Sequence, residues 1–72
     1  MRKTLQNDWT IERIEALMER LGMVRAIELA VAVGSHQMTV ERWLSGERHP
    51  IGIARAALER LEAECREREG AA

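Results

Sequence analysis

Apolar residues recur along this chain at three- and four-residue intervals in four stretches, and the first three of these stop at a glycine. The first comprises Ile11, Ile14, Leu17, Met18 and Leu21, one face of a helix that ends at Gly22. Thr10 stands as its N-cap, because Trp9 then precedes the cap and Ile14 falls at the fourth helical position, the spacing of a hydrophobic staple. Glu12 near the start and Arg20 near the end suit the helix dipole. A second helix is expected from about Arg25 to Ala32, with Ile27, Leu29, Ala30 and Val33 supplying apolar contacts. A third follows a turn at Val33-Gly34-Ser35 and ends at Gly46. Glu47-Arg48-His49-Pro50 is a polar connection, and a fourth helix runs from about Gly52 towards Glu69 with a stripe of Ala54, Ala57, Leu58, Leu61 and Cys65. Beyond Leu61 the pattern thins, so the tail reads either as a solvated helix end or as a contact between two copies.

The third helix carries two distinct faces. Advancing about 100° per residue from Gln37 puts Gln37, Met38, Glu41 and Arg42 on one side, with Val40 and Trp43 opposite. Val40 and Trp43 are therefore core anchors, and the polar face is left outward. Arg and Gln are the side chains that pair bidentately with guanine and adenine in the major groove, so Gln37 and Arg42 are candidate base readers. Two short helices about Gly34, the second with a polar outer face, have the pattern of a helix-turn-helix. Ala30, four residues before Gly34, provides the small side chain that lets the two helices approach closely.

Composition changes this picture little, except in charge. The chain has 72 residues, enough for one domain with a core that a second copy would usefully support. Ala, Leu, Glu and Arg dominate, which favours helix, and no pair of strands is indicated. Residues 1–8, with no apolar period, read as a flexible arm in which Arg2 and Lys3 either reach a phosphate or are solvated; residues 9–72 form the folded domain. The longest apolar run, Leu29–Val33, is far too short for a membrane span, and no signal sequence opens the chain, so a soluble, cytoplasmic protein is expected. Cys65 has no second cysteine to pair with, and with only His36 and His49 beside it no metal site or cofactor is expected. A formal net charge of −1 runs against the basic balance of many nucleic-acid binders, but local distribution decides binding.

Leu29-Ala30, Gly34, Gln37, Thr39-Val40, Arg42-Trp43, Ser45-Gly46, Arg48 and Pro50, taken in order, resemble the Xre/Cro/cI-type helix-turn-helix family of small phage and bacterial regulators. The resemblance, carried mostly by Met18 to Pro50, implies a compact all-α domain of four to five helices, lambda repressor-like, that dimerises and inserts its recognition helix into the major groove. By position, Gln37, Met38 and Arg42 would face base edges. Thr39 and Ser45 would lie near phosphates, the Arg48-His49 loop beside the backbone, and Arg25, Ser35 and His36 complete the backbone set. The chain departs from the family in placing Arg25-Ala26 where a hydroxyl residue and Gln are usual. It also has Ser35 then His36 after the turn glycine, which caps the recognition helix at Ser35 and starts it one residue early. Met38 suits a thymine methyl group rather than a hydrogen bond.

The function expected is that of a sequence-specific DNA-binding regulator, a dimeric repressor of its own operon on an inverted repeat. Anti-CRISPR-associated repressors and antitoxins of phage or mobile-element operons are contexts the resemblance allows. The competing reading is a module of the same shape that binds a protein through Met38, Trp43 and the helix 4 tail. An enzyme is not expected, since Glu15 and Glu19 share a helix face with no pocket to hold a substrate against them.

Overall fold

In the computed structural model, which describes residues 9–71, the Thr10 hydroxyl accepts a hydrogen bond from the Arg13 backbone N–H at 3.2 Å and opens α1 (Ile11–Arg20). Trp9 and Ile14, on either side of that cap, are both buried in the core, as the staple spacing requires. The expected arm over residues 1–8, with Arg2 and Lys3, lies outside the described residues. α2 (Ala26–Val33), α3 (Gln37–Ser45) and α4 (Gly52–Ala71) follow. The described residues form a compact, all-helical domain of four helices with no strand. None of these helices is long and apolar enough to cross a membrane.

The first three helices end in the same way. The third residue beyond α1, and the second beyond α2 and α3, returns its N–H to a carbonyl in the last turn: Met23 to Met18 at 2.8 Å, Ser35 to Ala30 at 2.8 Å and Glu47 to Arg42 at 2.9 Å. This is the Schellman arrangement, which satisfies carbonyls that a helix end leaves unpaired. It requires a left-handed residue at the reversal, and Gly34 (φ +72°) and Gly46 (φ +85°) supply it without the steric cost a side chain brings. The breaks read from the glycines are thus set by backbone hydrogen bonding.

The core is Trp9, Ile14, Leu17, Met18, Leu29, Ala30, Val33, Val40, Trp43 and Leu58, with Leu21, Leu44, Ala54, Ala57 and Leu61 packed against it. α3 lies against α2 and α1, and α2 also meets α4. Ala30 is fully buried, consistent with a small residue where α2 and α3 pack. Cys65 is buried on α4 with its thiol 3.7 Å from the Glu69 carboxylate.

Two expectations need correction. Ile27 belongs to the exposed face of α2 with Val31, not to the core. α2 is apolar at every position except Glu28, so its periodicity does not select a face, and the core takes Leu29, Ala30 and Val33 instead. α3 starts at Gln37 with His36 as its N-cap, not one residue early at Ser35. Ser35 is drawn into the end of α2 by its N–H bond to Ala30, which leaves His36 as the first residue to turn into α3.

Candidate functional site

The outer face of α3 is built by what its inner face buries. Val40 (0% exposed) and Trp43 (3%) fix the rotation of the helix, and Gln37, Met38, Glu41 and Arg42 are exposed. Met38 is 60% exposed, unusual for a large apolar side chain in the middle of a polar face. Along this face Gln37 Nε2 donates to Glu41 Oε2 at 2.8 Å, one helical turn away.

The C-terminal end of α3 folds the following loop back on itself. The Arg42 carbonyl accepts from Ser45 Oγ (3.1 Å), Glu47 N (2.9 Å) and Arg48 N (3.2 Å), while the Ser45 hydroxyl in turn accepts from Glu47 N at 3.4 Å. The consequence is that Arg42 and Arg48 line one cleft, together with Thr39, Trp43, His49, Ile51 and Ala54. The cleft holds about 280 Å³, and no carboxylate lines it. Neither Arg42 nor Arg48 has an ion-pair partner among the described residues, whereas Arg13, Arg20, Arg55 and Arg66 are each paired with a glutamate. Two guanidinium groups thus stand beside one opening whose lining holds no carboxylate, which makes that lining basic.

On the other side of Arg42 the lining reverses in sign. A second, shallower recess is lined by Met38, Glu41, Arg42, Ser45 and Glu47, so two carboxylates stand against one guanidinium. The α3 face is therefore electrostatically polarised across its width, a property hidden in a net charge of −1.

Of the residues singled out from sequence, Gln37, Met38 and Arg42 share the exposed face of α3, and Thr39, Arg48 and His49 join Arg42 around the basic cleft. Ser45 lies at the end of α3 with its hydroxyl engaged by backbone groups. Ser35 is half-buried and His36 exposed in the turn before α3, where the His36 carbonyl accepts from Thr39 N at 3.0 Å. Arg25 is the exposed N-cap of α2 and lines neither cleft.

Arg25 makes no side-chain hydrogen bond to cap α2, and the start of the helix is held from the other direction. The Glu28 carboxylate, three residues into the helix, accepts from the N–H groups of Arg25 (3.1 Å) and Val24. These bonds hold its pKa below the ordinary carboxylate value. The signal was present in sequence, since Glu at the third helical position is half of a capping box. Glu41 and Glu47, which shape the acidic side of the face, were not among the candidate site residues. The place of Glu41 on this face follows from helical spacing, whereas that of Glu47 depends on how the loop after Gly46 returns to α3.

Compared with known proteins, the chain matches no protein family, no curated protein and no solved structure.

Proposed function

We propose that this chain is a helix-turn-helix, sequence-specific DNA-binding regulator that acts as a two-fold dimer and represses transcription. The observation that carries the reading is the pairing of an exposed Gln37-Met38-Arg42 face on α3 with a carboxylate-free cleft lined by Arg42, Arg48, His49 and Thr39. A major-groove reader needs both parts: side chains directed at base edges, and cations beside them to take up a phosphate strand. The polarity of the face also favours one docking sense. The DNA backbone runs along the Thr39-Arg48-His49 side, and the Glu41-Glu47 side faces away from phosphates.

In this reading Arg42 pairs with guanine and Gln37 with adenine, while Met38 packs on a thymine methyl group. Arg48, His49 and Thr39 hold phosphates, and Arg25, Ser35, His36 and Ser45 contribute at the margins of the contact. Dimerisation is supported by Ile51 (76% exposed) and Ile53 (88%), large apolar side chains immediately beyond the Arg48-His49 loop. A second copy meeting there would set two α3 helices for half-sites about one helical turn apart, roughly 34–36 Å.

The test is a gel shift and footprint over the region upstream of the chain's own gene at two salt concentrations. Protection of an inverted repeat, with affinity that falls steeply as salt rises, is expected. Absence of a salt-dependent shift would refute the reading. It would favour a protein-binding module, for which the exposed Val24, Val31 and Met38 are the supporting observation.

A further inference from the structure

We infer that Glu41 is a positioning residue that fixes the amide orientation of Gln37 and so makes it select adenine over guanine; the inference rests on the DNA-reading assignment above. Gln37 Nε2 donates to Glu41 Oε2 at 2.8 Å, and both side chains are exposed on the same face of α3. An ionised carboxylate offers acceptors only, so the nitrogen and not the oxygen of the amide must turn towards Glu41. One N–H is consumed in that bond. With the hydrogen anti to Oε1 bonded to Glu41, the remaining N–H lies beside Oε1, and the free edge of the amide offers one donor next to one acceptor.

That pattern complements one purine and opposes the other. Adenine presents its N6 amino group as a donor and N7 as an acceptor, which meet Oε1 and the remaining N–H of Gln37. Guanine presents N7 and O6, both acceptors, so Oε1 would face a lone pair. An unrestrained glutamine rotates its amide to suit either base, whereas one held by Glu41 does not. The same carboxylate lowers affinity for DNA of any sequence, because it repels phosphates and stands with Glu47 on the acidic side of the face. Glu41 thus contributes to discrimination in two ways, neither of which needs it to touch a base.

The experiment is selection from a randomised DNA library, with quantitative competition binding, using the full chain and its Gln37→Ala, Glu41→Ala and Glu41→Gln variants. Gln37→Ala is expected to erase the preference at one base pair where the unaltered chain favours adenine. Glu41→Ala should reduce the adenine-over-guanine ratio at that same pair about tenfold and tighten binding to random DNA. Glu41→Gln removes the charge and offers a donor as well as an acceptor, so Gln37 can turn either way against it; it should lose the adenine preference as Glu41→Ala does and bind random DNA as tightly. Circular dichroism checks that each variant is folded, which its exposed position favours. An unchanged adenine-over-guanine ratio in Glu41→Ala would overturn the inference, and so would a loss of preference at a different base pair, which would make Glu41 itself a base reader. Should the unaltered chain select no sequence at all, the DNA-reading assignment falls and this inference falls with it.

Discussion

Arg13 and Glu62 stand 49 positions apart and are joined by two hydrogen bonds, Nη2 to Oε1 at 2.7 Å and Nε to Oε2 at 3.1 Å. The guanidinium of Arg13 also lies 3.8 Å from the centre of the Trp9 ring, so one side chain ties the start of α1 to the middle of α4. The pairing is two-pronged and largely shielded, with side-chain exposures of 26% and 17%. A second ion pair, Arg20 to Glu69 at 3.8 Å, joins the same two helices nearer their C-terminal ends.

This pair gives α4 a pH-dependent attachment. The hydrogen bond from Arg13 holds the Glu62 pKa below the ordinary carboxylate value, and desolvation opposes it only in part. A carboxylate with a depressed folded pKa stabilises the fold above its unfolded pKa, and loses that contribution as pH falls through the folded value. Glu62→Gln is therefore expected to cost about 1 kcal/mol at pH 7, less than the usual charged hydrogen bond because both groups still touch water. Urea unfolding should show that difference shrinking below the ordinary carboxylate value of 4.5. A gap that stayed constant from pH 7 to pH 3 would contradict the assignment.

Alanine at the two turn glycines separates backbone strain from crowding. Gly34→Ala must adopt a left-handed conformation with nothing within 4 Å of the new Cβ, and should cost about 1–2 kcal/mol. Gly46→Ala bears the same strain and also meets Ile11 Cδ1 at 3.3 Å. It should be the more destabilising of the two, by an amount limited by how freely the end of Ile11 shifts. Denaturation midpoints of the two variants give the comparison directly.

Arg42 and Arg48 line one cleft and are expected to fail in different ways. Arg42→Ala should relax specificity at one base pair at a cost of about 1–3 kcal/mol, since a guanine contact is lost. Arg48→Ala should weaken operator and random DNA alike and lower the salt slope by about one, the signature of a single phosphate contact. Titrations on operator and random duplexes at several salt concentrations distinguish the two. Equal loss on both duplexes for Arg42→Ala would remove it from the base-reading set.

Ile51 and Ile53 bear on assembly. In the proposed dimer Ile53→Asp would place a charge in the apolar contact between copies, so light scattering is expected to report a dimer for the unaltered chain and a monomer for the variant. Affinity for a full inverted repeat should fall while affinity for an isolated half-site stays the same. A variant that remained dimeric would move the contact elsewhere, with the exposed outer face of α2 the next surface to alter.

Much of this fold is local and was legible in the order of residues. The Thr10 cap, the stops at Gly22, Gly34 and Gly46, and the division of α3 into a Val40-Trp43 side and a Gln37-Met38-Glu41-Arg42 side each involve groups within a turn or two. Helical geometry brings such groups together without help from the rest of the chain. Tertiary packing decided what local rules left degenerate. α2 is apolar nearly all round, so only packing against α1, α3 and α4 could turn Leu29, Ala30 and Val33 inward and leave Ile27 out. The Arg13–Glu62 tie and the meeting of Arg42, Arg48, Ile51 and Ala54 around one cleft depend on where the chain returns after Gly46. Sequence spacing therefore placed Gln37, Met38, Glu41 and Arg42 on one exposed face. The folded chain determined which of them stand beside unpaired cations and which beside carboxylates, because electrostatic fields act through space and not along the chain.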